Sequence, residues 1–114
     1  MTQSTYQPIS RLDGKVAVII GGAGAIGEAT ARHFAALGAR VALVHRSDDP
    51  ARTQPILQSL SGGGHKFYTA SVTDSTSLKA VAAQIQTDMG PANILVNSAG
   101  FTQPVPLNDL EALR

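Results

Sequence analysis

The fold follows from one stretch of sequence, Val16-Ala17-Val18-Ile19-Ile20-Gly21-Gly22-Ala23-Gly24-Ala25-Ile26-Gly27. Its first five residues are continuously apolar, which is typical of a strand that is buried on both faces of a sheet. The glycines then allow a sharp turn and a close approach of the backbone to a ligand. A helix that begins near Ala25 would point its free N–H groups at that ligand, so the stretch predicts a phosphate-binding loop.

Gly22, Gly24 and Gly27 have the spacing G-x-G-x-x-G, which is found in loops that bind dinucleotides. Glycine-rich turns also end ordinary strands, so the motif alone fits a simple turn as well. Its place between an apolar strand and an amphipathic helix favours the ligand-binding interpretation.

After a first strand at residues 15–20, apolar runs predict strands at residues 40–44 and 93–96, and a partly alternating pattern predicts another at residues 66–72. The segments between these strands have apolar residues at helical spacing. Each strand with the helix that follows it takes about 30 residues, as in doubly wound proteins. We predict an α/β fold with a parallel sheet of strand order 3-2-1-4. The first and fourth strands should then border a crevice at their carboxyl ends.

The helix boundaries are predicted from capping residues. Gly38 should end the first helix, Asp49 and Pro50 should open the second, and Asp74 should cap the third. We expect Pro55 to interrupt the second helix, because a proline inside a helix removes a donor and crowds the preceding turn.

Composition limits the classes of function. The 114 residues have an apolar share of 43%, which suits one modest domain, and nine Lys and Arg balance eight Asp and Glu. No basic stripe indicates nucleic acid or an anionic membrane as a partner. The absence of cysteine excludes disulfides and Cys-ligated zinc, and we predict no metal site. We expect a soluble, cytoplasmic protein with a flexible arm at residues 1–11 and one incomplete dinucleotide-binding domain at residues 12–114.

The residues after the second strand bear on the choice of cofactor. Sites for NAD place an acid there to bind the ribose 2′-hydroxyl, whereas NADP sites place a cation there. This chain has His45-Arg46-Ser47, and Arg46 with Ser47 could bind a 2′-phosphate, which favours NADP. Two alternatives stay open: Arg46 is a solvated residue at a strand end, or Asp48 and Asp49 supply the acid of an NAD site.

Three separated segments together resemble the short-chain dehydrogenase/reductase family. They are the loop with Gly21, Ala25 and Gly27, the pair Ser71-Val72, and the segment Asn97-Ser98-Ala99-Gly100. The resemblance extends from Leu12 to the end of the chain. Each segment departs from the family pattern: Ala25 replaces a glycine, Ser71 an aspartate and Ser98 an asparagine. Ile20 also stands where the family has threonine.

The resemblance implies a cofactor site. The loop would hold the diphosphate, Ser71 and Val72 would contact the adenine, and the segment at Asn97 would border the adenosine ribose. The candidate cofactor-binding residues are Gly21, Gly24, Ala25, Ile26, Gly27, Arg46, Ser47, Ser71, Val72, Asn97, Ala99 and Gly100.

The same resemblance implies an NADP(H)-dependent oxidoreductase that interconverts a small-molecule alcohol and a carbonyl, and a homo-oligomer in the full-length form. The family's catalytic tyrosine and lysine form a Y-x-x-x-K segment, which neither Tyr6 nor Tyr68 can supply. We therefore identify no catalytic residue in this chain and expect it to be inactive alone. Residues 107–113 resemble a helix cut short, which indicates a longer native polypeptide and an exposed fourth strand. The alternative is a noncatalytic dinucleotide-binding or interaction module.

Overall fold

The computed structural model describes residues 11–46 and 49–99. The predictions for the arm before Arg11, for Ser47, Asp48 and Gly100, and for the helix at residues 107–113 lie outside the described residues.

Four parallel strands form one sheet in the order β3-β2-β1-β4. They are β1 (Val16–Ile20), β2 (Arg40–His45), β3 (Lys66–Thr69) and β4 (Ile94–Asn97). In the register of the sheet, Val18 of β1 lies between Ala42 of β2 and Leu95 of β4. The predicted α/β class and strand order are confirmed, and the carboxyl ends of all four strands meet at one edge.

Three helices alternate with the strands: α1 (Ala25–Ala36), α2 (Pro50–Ser59) and α3 (Ser75–Met89). Residues from α1 and α2, including Ala31, Ala35 and Ile56, pack in one apolar cluster with Ile19 and Leu43 of the sheet. A second cluster joins α3 to the sheet on alternate strand residues, which face the opposite way. The sheet is therefore the central layer of three, as its continuously apolar strands predict.

The second helix differs from the prediction, because Pro55 lies inside α2 and does not interrupt it. Proline removes a single backbone donor. Pro55 lies on the exposed side, whereas Thr53 and Ile56, which flank it, are buried, and Ile56 packs against the sheet. Tertiary packing therefore outweighs the local preference of Pro55.

The predicted helix ends are largely confirmed. The Asp74 carboxylate accepts hydrogen bonds from Thr76 N and Ser77 N at 3.1 and 3.2 Å. Gly38 follows α1 with a φ of +101°, in the region that favours glycine. Asp49 occupies the cap position of α2, but its carboxylate makes no capping bond.

The third strand is shorter than predicted, and the fourth strand is partly uncovered. β3 ends at Thr69, so Ser71 and Val72 belong to the turn that leads into α3. Leu95 of β4 is 66% exposed, in agreement with the expected exposure of this strand. It borders an apolar cleft of about 530 Å³ between β4 and α3. Within residues 11–46 and 49–99, no helix has both the length and the hydropathy needed to cross a membrane.

Candidate functional site

A cleft of about 330 Å³ lies at the carboxyl edge of the sheet, where the sequence predicts a crevice. This volume falls within the roughly 300–1,000 Å³ of ligand sites in proteins. The ends of β1 and β2 and the residues that follow β3 and β4 form its lining, which consists of Ile20, Gly21, Gly24, Val44, His45, Arg46, Ala70, Ser71, Val72, Thr73, Ser98 and Ala99.

The glycine loop begins with a residue that no other amino acid can replace without strain. Gly21 has a φ of +83°, and a Cβ there would lie 2.7 Å from the backbone nitrogen of Ala99. The N–H groups of Gly21 and Gly22 donate to the carbonyl oxygen of Val44, at 2.7 and 3.1 Å. The loop is thus held against β2 on one side and the residues after β4 on the other.

Helix α1 begins at this loop with its first N–H groups available. Gly24 is the cap residue and offers no side chain, and the first bond that closes the helix runs from Glu28 N to Gly24 O at 2.8 Å. Among the residues that the structure describes, the N–H groups of Ala25, Ile26 and Gly27 have no acceptor. Unpaired donors at the positive end of a helix dipole favour an anion.

Gly27 supports the loop from behind and does not line the cleft. It is buried, and a Cβ there would lie 2.8 Å from the carbonyl carbon of Gly21 and 2.9 Å from the Cα of Gly22. The last glycine of the motif therefore allows α1 to pack closely against the turn.

The end of β2 brings two basic side chains to the cleft. Arg46 is exposed, and His45 is partly buried beside it. Burial, and then the positive charges of Arg52 and Arg46, lower the pKa of the His45 imidazole. The shift favours the neutral imidazole, so of these two lining side chains Arg46 is the one that carries a permanent positive charge.

A pair of hydroxyl groups lies in the turn that follows β3. The hydroxyl oxygens of Ser71 and Thr73 are 2.7 Å apart, and Val72 between them is 45% exposed. One hydroxyl donates to the other, so one proton of the pair remains for a further acceptor. The turn therefore presents the apolar side chain of Val72 beside the hydroxyl groups of Ser71 and Thr73.

The residues after β4 close the cleft. The Asn97 side chain accepts a 3.2 Å hydrogen bond from Ala99 N, which shapes the turn after the strand. The Ser98 hydroxyl donates to Ile20 O at 2.9 Å and so ties this turn to the end of β1.

The structure brings half of the predicted site residues to the lining of the cleft: Gly21, Gly24, Arg46, Ser71, Val72 and Ala99. Ala25, Ile26, Gly27 and Asn97 lie next to it but outside its lining, and Ser47 and Gly100 lie outside the described residues. The candidate residues did not include His45, Thr73 and Ser98, which also line the cleft. His45 ends β2, Thr73 lies in the turn after β3 and Ser98 follows β4, so their places at the carboxyl ends of strands are the signal that would have identified them.

The prediction also missed Arg52, which holds the glycine loop from outside the cleft. Its guanidinium donates to the carbonyl oxygen of Ala23, with Nε at 2.8 Å and a second nitrogen on the same oxygen. A lone arginine on a helix gives no sequence signal for such a bond.

A three-layer α/β fold of order 3-2-1-4, with a glycine loop and an open cleft where the strand order reverses, defines the dinucleotide-binding class of proteins. Within that class, residues 15–113 match the family model for short chain dehydrogenase. The chain belongs to the short-chain dehydrogenase/reductase family, as its motifs imply.

Named relatives of the chain are dehydrogenases. It is 37% identical over 100 residues to a D-threitol dehydrogenase from Mycolicibacterium smegmatis. The matched region covers 88% of this chain and 38% of the relative. It is 38% identical over 101 residues to a 2,3-dihydro-2,3-dihydroxybenzoate dehydrogenase from Bacillus subtilis, with 87% and 38% covered. The chain therefore spans about two fifths of the length of these relatives.

Solved structures show the same relationship. A citronellol catabolism dehydrogenase from Pseudomonas aeruginosa superposes with a TM-score of 0.76 at 30% identity, over 94% of this chain and 43% of that one. A Haemophilus influenza oxidoreductase solved with bound NAD superposes with a TM-score of 0.73 at 30% identity, over 82% of this chain and 34% of that one. The family uses nicotinamide dinucleotides, so the cleft is a candidate NAD(P) site.

Proposed function

We propose that this chain is the cofactor-binding part of an NADP(H)-dependent oxidoreductase, which interconverts an alcohol and a carbonyl group by hydride transfer. The proposal combines family membership with the charge of the cleft. The lining among the described residues includes Arg46 and His45 but no carboxylate. The single observation that favours NADP over NAD is the exposed Arg46 in this lining, because NADP sites place a cation at the end of the second strand.

Of the two alternative acids, Asp48 lies outside the described residues, and Asp49 receives no support from the structure. Asp49 occupies the cap position of α2, where its carbonyl oxygen accepts from Arg52 N and Thr53 N at 2.9 Å. Its side chain is not among those that line the cleft. Arg46, by contrast, is exposed at the cleft and its guanidinium can bind a phosphate with two parallel bonds.

The other residues fit the remaining parts of a dinucleotide. The N–H groups of Ala25, Ile26 and Gly27 would bind the diphosphate, beside a cap residue, Gly24, that offers no side chain to obstruct it. Ser71 and Val72 would contact the adenine, and the segment of Asn97, Ala99 and Gly100 would border its ribose. Ser47 would add a hydroxyl to the 2′-phosphate site beside Arg46.

The bound cofactor would supply or accept the hydride. This chain's own contribution is to bind and orient it, since the family resemblance places the proton-donating tyrosine and its lysine beyond these residues. Tyr68 cannot take that role, because it is 6% exposed and its hydroxyl donates to the Asp88 carboxylate at 2.9 Å. We propose that the 114 residues alone bind cofactor without turnover.

An activity assay tests the oxidoreductase proposal. Relatives include dehydrogenases named for D-threitol, galactitol and glucose, so a panel of sugars and polyols with NADP is the first choice. The native polypeptide should reduce NADP with some member of an alcohol panel, whereas residues 1–114 should bind NADPH and give no turnover. Turnover by the 114 residues would contradict the proposal that they lack the catalytic groups.

The cellular setting is also a proposal. We propose cytoplasmic residence and a homo-oligomeric full-length form, on the resemblance to the family. Size-exclusion chromatography with light scattering on the native polypeptide tests the second point, and a single-chain mass would contradict it.

A further inference from the structure

One side chain outside the cleft holds the glycine loop by its backbone. Arg52 is the third residue of α2, and its Nε donates to the carbonyl oxygen of Ala23 at 2.8 Å, with a second guanidinium nitrogen on the same oxygen. The two residues are 29 positions apart, and the contact is partly buried. Arg52 therefore joins the first turn of α2 to the middle of the loop.

This bond determines the orientation of one peptide unit. The Ala23 carbonyl and the Gly24 N–H belong to the same planar peptide, so fixing one fixes the other. Arg52 holds the oxygen, and Gly21 O accepts from Gly24 N at 3.0 Å. With both ends held, the next residues start α1, and their N–H groups have no acceptor among the described residues.

The charge of Arg52 has a second effect on the same peptide. A free carbonyl oxygen beside an anion site presents the negative end of a dipole to the anion. Two donors from a cationic group on that oxygen offset this repulsion. The loop can then present mainly donors to a bound anion, although it contains no basic side chain of its own.

We propose that Arg52 is a positioning residue for the diphosphate-binding loop, acting through the Ala23 carbonyl. This inference rests on the proposed function, and it assigns different tasks to two neighbouring arginines. Arg46 serves the 2′-phosphate, so its loss affects only ligands that carry that group. Arg52 orients the loop, so its loss weakens the binding of every ligand that carries a diphosphate.

The test uses three ligands that separate the two phosphate sites. ADP carries the diphosphate alone, 2′-AMP carries the 2′-phosphate alone, and NADPH carries both. Their dissociation constants are measured by calorimetry for the full chain and for its Arg52→Gln, Arg52→Lys and Arg46→Ala variants. Circular dichroism and urea unfolding establish the conditions in which each variant is folded.

Arg52→Gln should weaken the binding of ADP and NADPH about tenfold and change the affinity for 2′-AMP by less than about threefold. Arg52→Lys should recover part of the ADP affinity, because an ammonium group can donate one bond to Ala23 O. If Arg52→Gln does not fold, the test rests on Arg52→Lys. That variant should lose affinity for ADP relative to the parent without the same loss for 2′-AMP.

Two outcomes overturn the inference: ADP affinity that is unchanged in the folded variants, or an equal loss for ADP and 2′-AMP. A merely structural role would lower the urea midpoint and leave the ratio of the two affinities unchanged. If the parent chain binds none of the three ligands, the proposed function itself fails, which is a distinct result.

Discussion

The hydroxyl of Ser98 donates a 2.9 Å hydrogen bond to the carbonyl oxygen of Ile20, the residue before Gly21. The Ser98 N–H donates to the same oxygen, also at 2.9 Å. The turn after β4 is therefore fixed to the point at which β1 enters the glycine loop. This link sets the close approach of Gly21 to Ala99 at the edge of the cleft.

Replacing Ser98 by alanine should lower the free energy of unfolding by about 1 kcal/mol, because it removes one side-chain hydrogen bond and keeps the backbone bond. The control is Ser75→Ala at the exposed start of α3, whose hydroxyl makes no hydrogen bond to another described residue. Its effect should stay within about 0.5 kcal/mol. Equal losses in urea unfolding of the two variants would show that the Ser98 bond contributes nothing.

Replacing Gly27 by alanine should destabilise the protein by about 1–3 kcal/mol or more and abolish binding of both NADPH and NADH. Alanine normally stabilises a helix relative to glycine by about 1 kcal/mol. At Gly27 the new methyl group would meet the backbone of Gly21 and Gly22, so the sign reverses. Urea unfolding and cofactor titration measure the two effects.

The matched control for Gly27 is Gly63→Ala, since a Cβ at Gly63 meets no atom within 4 Å. This variant should keep the parent's cofactor affinity and its urea midpoint. Persistent cofactor binding by Gly27→Ala would mean that the glycine loop is only a turn.

Because of Tyr68, we expect the free energy of unfolding to decrease at alkaline pH. Burial, and then the Asp88 carboxylate that accepts its hydrogen bond, raise the pKa of the phenol to about 12, against an ordinary value of 10.0. The folded state favours the neutral phenol, so this stabilisation is complete below pH 10 and disappears as the pH rises through the folded pKa. Tyr68→Phe should therefore show a smaller decrease in unfolding free energy over that range.

Absorbance of the phenolate measures this pKa directly. The chain has two tyrosines, so a Tyr6→Phe background leaves Tyr68 as the only one. Its titration in the folded protein should lie clearly above pH 10. An apparent pKa of about 10 while the protein is still folded would contradict the role of burial and Asp88.

Much of the fold could be predicted from the sequence because most of its strands are short apolar runs and strong capping signals lie between them. Asp74, Gly38 and Pro50 each mark a helix boundary by local chemistry alone. Pro55 shows where local chemistry fails: the packing of Ile56 against the sheet keeps α2 continuous, and that packing involves residues distant in the chain.

The candidate site could be predicted only in part, for the same reason. Positions that directly follow a strand, such as Arg46 and Ser71, could be placed at the cleft from the strand order. Arg52 could not, because its partner Ala23 is 29 residues away and no motif links them. The role of Gly27 also depends on distances to Gly21 that only the three-dimensional structure provides.

The central claim is that Arg46 binds a 2′-phosphate, and titration of NADPH and NADH tests it most directly. The full chain should bind NADPH at least about tenfold more tightly than NADH, and Arg46→Ala should weaken NADPH alone by about ten- to a hundredfold. Lys79→Ala, which removes a positive charge from the exposed side of α3, should change neither affinity. Equal binding of the two cofactors by the parent, or an Arg46→Ala variant that keeps its NADPH affinity, would contradict the claim.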